Sequence, residues 1–277
     1  MYNDVRAPAV AGTFYPSDRS DLKELVDEYL QVEDKLNDDQ KLIALVSPHA
    51  GLIYSGHVAG HGYGLLKNSP IKKVVILAPS HHEHITGGTI YDGDAYSTPL
   101  GDIPVEKELS AEMANRSEFL SLSSKGHGPE HSLEVQLPFL QSILGDGFEL
   151  VPVIIGNVDT GMASEISSTI TEIISEADEE VLLIASTDLS HFHDQKQANL
   201  LDRHTADHIE RMSIDELYDE CESGNCEACG INPLMIVMKS SQQLGASNSK
   251  VLKYATSGDV TGDFSSVVGY LSAAITG

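Results

Sequence analysis

The sequence predicts an α/β fold: a single-domain sandwich over residues 1–277, with a largely parallel or mixed central sheet flanked by helices. Three observations lead there. Four short apolar runs rich in β-branched residues, 42–47 (LIALVS), 73–78 (KVVILA), 148–155 (FELVPVII) and 180–186 (EVLLIAS), have the length and composition of buried strands. Segments of helical length and pattern fall before, between and after them, at 19–32, 104–115, 132–143, 160–176, 194–211 and 231–244. Strands alternating with helices pair in parallel, because a parallel crossover needs a helix's worth of chain. Neither a repeat nor a low-complexity linker divides the chain.

Taken in order, the helix at 19–32 carries acids suited to a solvated face. The first strand stops at Pro48. The glycines of GHVAGHGYG (56–64) follow that strand but miss the G-x-G-x-x-G register, and no G-x-x-x-x-G-K-[ST] loop exists, so nucleotide binding is unsupported. Gly56 and Gly60 are expected instead to let a helix pack close to the sheet. The second strand stops at Pro79. The Gly- and Asp-bearing stretch 87–103 reads as a long functional loop or a hairpin. After the GHGPEH turn, Ser132 is the candidate cap of the next helix, without a full capping box because residue 135 is Val. The late runs 249–256 and 265–275 read as edge or mixed strands.

Hydrophobic residues make up 41% of the chain, ample for a core, but aromatics only 6% with no Trp, so aliphatic side chains must fill it. No apolar run approaches the roughly 18 residues that span a bilayer, and the N-terminus lacks a secretory pattern. A soluble, cytoplasmic protein is expected. With 42 acidic against 17 basic residues, a formal charge of −25, nucleic acid and anionic membrane are poor partners. The clustered, odd trio Cys221, Cys226 and Cys229 is unlike a secreted disulfide framework.

The strand ends carry the chemistry. The first run leads to His49, the second to His81, His82 and His84, and the fourth to Asp188 and His191. Loops that follow parallel strands share one edge of the sheet, where ligand sites form. Imidazole is the commonest ligand for transition metals, so two such histidines with a third donor would make a metal site. For any one of them, a loop-capping role is the plainer alternative. The third donor could be Cys229, close to a helix N-terminus marked by Pro233, where the dipole and a bound cation would favour thiolate. A buried structural cysteine, a Cys226-x-x-Cys229 redox pair and half of a zinc site are the alternatives. His131 and Glu134, three residues apart after the glycine-rich turn, are candidates for the pocket wall, as is His82; Glu134 could equally serve the helix dipole. His204 and His208 share helical spacing with a zinc-protease motif but lack its glutamate, and read as a solvated face.

Together, RAPAVAGTFYP (6–16), SPHAGLIYSG (47–56), LAPSHH (77–82), EHSLEVQLPFL (130–140), STDLSH (186–191), ACGINPL (228–234) and YATSGD (254–259) resemble the Memo family, and the match extends over nearly the whole chain. That family is named for a mediator of cell motility, its microbial members being called AmmeMemoRadiSam system protein B. The resemblance implies a fold similar to class III extradiol dioxygenases and a metal pocket built from His49, His81 and Cys229 with His191 nearby. In the dioxygenases a glutamate stands at the position of Cys229, and the residue matching His191 is the acid/base. Thiolate is softer than carboxylate and is itself oxidisable, which points to iron or copper, with zinc as the third choice, and away from ring cleavage.

The expectation is therefore a metal-dependent oxidoreductase in which His191, oriented by Asp188, acts on an unknown small molecule. The alternative is a non-catalytic module that captures a peptide or partner in the same pocket. The system name implies a radical-SAM protein and an AMMECR-type protein as partners. Ile231 and Asn232 stand where animal members are basic, so their peptide-binding role transfers poorly. A hydrolytic zinc enzyme, with Glu134 or Asp188 as its base, is the third reading.

Overall fold

The computed structural model describes residues 2–37 and 39–277. In chain order come β1 (Val5–Arg6), α1 (Arg19–Tyr29), β2 (Leu42–Ser47), α2 (Leu52–Gly64), β3 (Lys73–Pro79), β4 (Gly88–Ile90), β5 (Ala95–Thr98), β6 (Gly101–Pro104), α3 (Lys107–Arg116) and β7 (Leu120–Leu122). A 3-10 turn (Glu134–Gln136) leads into α4 (Leu137–Leu144), followed by β8 (Glu149–Ile155), α5 (Thr160–Glu176), β9 (Val181–Ser186), β10 (His191–His193) and α6 (Gln195–Arg211). The chain closes with α7 (Ile214–Glu222), α8 (Ile231–Gln243), β11 (Asn248–Thr256), α9 (Gly258–Thr261) and β12 (Val267–Thr276).

Nine strands form one mixed sheet in the order β10-β12-β2-β9-β3-β8-β4-β7, with β11 also paired to β12. Its centre, β2-β9-β3-β8, is parallel, as the four apolar runs predict. These strands are buried on both faces, so alternate residues feed two cores. Val46, Val75, Leu77, Val153 and Leu183 face α5 and α8, whereas Leu45, Ile76, Ile154 and Ile184 face α1, α2 and α4. Burial on both faces explains why these runs are continuously apolar rather than alternating.

The late runs form β11 and β12. β12 is no edge strand: it lies between β2, β10 and β11 and is antiparallel to all three. Stretch 87–103 contains β4 and, but for Pro104, the whole β5–β6 hairpin, which with β1 makes a separate three-stranded sheet.

Three local expectations are corrected. Gly56 and Gly60 do not seat α2 on the sheet; a Cβ at either would strike Tyr29, so they let α1 cross α2 closely. Ser132 does not cap a helix, because its hydroxyl donates to the Pro79 carbonyl at 2.8 Å and the following turn has no side-chain cap. Of the pair read as a solvated face, His204 is exposed, but His208 is buried and bonded to Ser213 at 2.7 Å.

Among the described residues, no helix is long and apolar enough to cross a membrane.

Candidate metal centre

Strands β2, β9 and β3 are adjacent and parallel, so the loops after them open on one edge of the sheet. His49, His81 and Asp188 stand there in the first residues past each strand. The loop before α4 adds His131. The ring centroids of His49, His81 and His131 are 5.3, 5.6 and 4.8 Å apart. One donor atom from each of the three lies within 4.8 Å of the others, so this group could hold a metal ion.

Hydrogen bonds fix which nitrogen the His49 and His81 rings present. Ser186 Oγ donates to the Ser132 carbonyl at 2.7 Å and accepts from Gln136 Nε2 at 2.9 Å. Its one proton is thus committed, and His49 Nδ1, 2.8 Å away, must be its donor. His49 therefore keeps a bare lone pair on Nε2. Burial and the neighbouring rings hold the His49 pKa well below the ordinary value, so the ring is neutral. His81 follows the same logic: its Nδ1 donates to Glu130 Oε1 at 2.9 Å, which frees Nε2. A carboxylate or hydroxyl behind each imidazole is the arrangement that orients metal-binding histidines. His131 is neutral as well, its pKa lowered to about 4 mainly by burial. A donor set of imidazoles fits a borderline transition metal.

Cys229 reaches the centre because Gly230 permits it. A Cβ at Gly230 would lie 2.3 Å from the Ser186 carbonyl, so only glycine lets the start of α8 press against the end of β9. Cys229 Sγ sits 3.2 Å from His49 Nε2 and accepts the Asp188 N–H at 3.2 Å. It does not belong to the three-membered group, in which His131 stands instead. The helix start does not make Cys229 a thiolate in the metal-free site. Burial and the nearby Asp188 push its pKa up, and as a neutral thiol it can donate to His49 Nε2.

The other predicted residues are distributed unevenly. Asp188 does not hydrogen-bond His191; its carboxylate accepts the His49 backbone N–H at 2.7 Å, and burial raises its pKa to about 6. The His191 ring is oriented by the Leu189 carbonyl, to which Nδ1 donates at 2.7 Å. His82 lies beside the group, its ring 6.2 Å from that of His131. Glu134 is fully buried and engaged elsewhere. Its carboxylate pairs with Arg6, accepts from Tyr15, and takes the backbone N–H groups of Ala9 and Val10 at 2.8 and 3.1 Å. It pins the N-terminal segment.

Sequence reasoning passed over Glu130, which does what was sought in Glu134. Glu130 accepts His81 N at 2.6 Å and the backbone N–H groups of His131 and Ser132 at 3.0 Å each, besides the His81 ring. These bonds outweigh its burial and hold the carboxyl ionised, well below the usual range. Glu227 was also missed; it bonds His193 Nε2 at 2.8 Å and the His191 N–H at 3.2 Å. Between these histidines a β-bulge places Phe192 at φ 63°, turned out and 77% exposed. A cleft of about 180 Å3 opens beside Cys229, lined by Ser80, Glu83, His84, Asn157 and Asn232.

A mixed, helix-flanked sheet with three imidazoles gathered past its parallel strands defines an α/β protein with a candidate metal centre. The chain belongs to the Memo family: the model described as "Memo-like protein" matches residues 6–274. A MEMO1 family protein of Thermoplasma volcanium is 36% identical over 271 residues, with 97% of each chain covered. One from Methanobrevibacter smithii is 37% identical, covering 97% of this chain and 98% of its own. One from Aquifex aeolicus is 36% identical, covering 96% and 97%. Among solved structures, an uncharacterized protein of Escherichia coli K12 aligns with a TM-score of 0.54 at 13% identity, over 85% of this chain and 100% of that one; the likeness is one of fold.

Proposed function

We propose that this chain is a single Memo-like domain acting as a metal-dependent redox protein in the cytoplasm. His49, His81 and His131 would hold iron or copper, with the Cys229 sulfur as a further donor. Such an ion would supply electron transfer and Lewis acidity. The supporting observation is the pair of Nδ1 hydrogen bonds, His49 to Ser186 and His81 to Glu130, which leaves both Nε2 lone pairs for an ion. A set of imidazole nitrogens with one sulfur favours iron or copper over the hard cations, with zinc the redox-silent alternative.

The chain's own residues would do the rest. With Nδ1 tied to the Leu189 carbonyl, His191 offers Nε2 to take a proton from a substrate and return it. Asp188 would hold the His49 backbone in place. The polar cleft beside Cys229 suits a small hydrogen-bonding substrate better than an apolar one. Metal quantification after anaerobic purification tests the reading: about one equivalent in the wild type and its loss in the His49→Ala/His81→Ala double variant support it, and retained metal refutes it.

A second reading, a partner-binding module, is favoured by exposed apolar side chains on chain leading to or from the site: Phe192, with Ile53 and Tyr54 in the first turn of α2. A radical-SAM protein and an AMMECR-type protein would be the partners. Metal-free protein binding them as tightly as loaded protein would favour this reading over the first.

A further inference from the structure

The three cysteines fall into two groups. Cys229 Sγ is directed at His49, whereas Cys221 Sγ and Cys226 Sγ lie 2.8 Å from each other. That separation exceeds a covalent S–S bond of about 2.05 Å, and both are free thiols. The end of α7 creates the contact. Asn225 N–H donates to the Glu220 carbonyl at 2.9 Å and Gly224 N–H to the Cys221 carbonyl at 3.1 Å, with Gly224 at φ 76°. This pair of bonds is a Schellman turn. It reverses the chain so that Cys226 folds back onto the last turn of the helix, five residues after Cys221.

We propose that Cys221 and Cys226 are a redox-convertible dithiol that closes to a disulfide under peroxide, while Cys229 stays outside the exchange. Cys221 is partly exposed and Cys226 is 1% exposed, so the oxidant meets Cys221 first. The Cys221 sulfur attacks the peroxide O–O bond, giving a sulfenic acid and releasing one water. The Cys226 sulfur then attacks that sulfur, the S–O bond breaks, and the hydroxyl leaves as a second water with the remaining thiol proton. Two thiols are oxidised, and one peroxide is reduced to two waters. Because the closed loop is short, the bond gains little chain entropy and stays open to reduction.

The spacing Cys226-x-x-Cys229 suggests a rival pairing, but the side chains oppose it. Cys226 Sγ contacts Cys221 and the Leu217 carbonyl, 3.6 Å away, inside the α7 packing. Cys229 Sγ instead takes the Asp188 N–H at the metal centre. Between them Glu227 is bound to His191 and His193, so the linking segment is fixed at its middle.

The test uses the full chain treated with hydrogen peroxide, denatured, alkylated and weighed intact. The wild type should lose two of its three alkylatable thiols and the mass of two hydrogens, both restored by a dithiol reductant. Cys229→Ser should show the same loss, and Cys221→Ser should not form the bond. Three alkylatable thiols after treatment, or a loss that disappears in Cys229→Ser, would overturn the proposal.

Discussion

Ser186 Oγ lies 2.8 Å from His49 Nδ1, with its own proton spent on the Ser132 carbonyl. A buried serine thus sets the tautomer of a candidate metal ligand from behind. In Ser186→Ala, His49 Nδ1–H loses its acceptor, and the ring gains freedom to turn or to take the other tautomer. Metal affinity should fall by roughly tenfold or more, as for other partners of metal-bound histidines, in a chain that still folds. A competition titration with a chelator reads it.

Glu130 and Glu134 make a contrasting pair. Glu130→Gln removes the charge behind His81 and turns an amide N–H toward backbone donors. Metal affinity should drop about 10- to 100-fold. An unchanged chelator titration would remove Glu130 from the site.

Glu134→Gln should act on stability instead. It leaves buried Arg6 without its carboxylate, although Arg6 keeps the carbonyls of His127, Gly128 and Glu130. Breaking a buried pair from one side costs about 3–5 kcal/mol. Denaturant unfolding should show much of that loss, with metal stoichiometry kept in the folded fraction.

The metal-free protein should lose stability on acidification. His127 accepts from Tyr96 at 2.5 Å and sits against Arg6, and burial lowers its pKa to about 3. The unfolded ring takes a proton below about pH 6.5, whereas the folded ring refuses it until about 3. Its contribution is therefore complete above the unfolded value and drains away between the two. His131 acts the same way down to about 4. Asp188, raised to about 6, opposes them, since the folded carboxyl binds its proton first. Comparing His127→Gln with wild type isolates one share: the variant's unfolding free energy should fall less steeply from pH 6.5 to 4. Parallel slopes would contradict it.

Much of this was legible in the chain. The four apolar runs became the four parallel strands at the centre, and their shared edge brought His49 and His81 together, because strand order and loop position follow from elementary packing. From sequence His131 reads as pocket wall and not as a member of the group, since its approach depends on how the loop from Gly126 to Ser132 folds. Glu130 and Glu134 are near neighbours with no local pattern to separate them; only the burial of Arg6 and the N-terminal segment decides that Glu134 looks away. Ser186 did carry a signal, a small hydroxyl residue ending an apolar strand. The insertion of β12 beside β2 was hidden because antiparallel return strands leave no mark of their neighbours.

Whether the three imidazoles hold an ion is decided by an anomalous-scattering map of crystals of anaerobically purified protein, collected at the iron and copper absorption edges. One peak per chain is expected within bonding distance of His49 Nε2 and His81 Nε2, completed by His131, with or without the Cys229 sulfur. A well-ordered site with no peak among these rings, or a peak bound elsewhere on the chain, would contradict it.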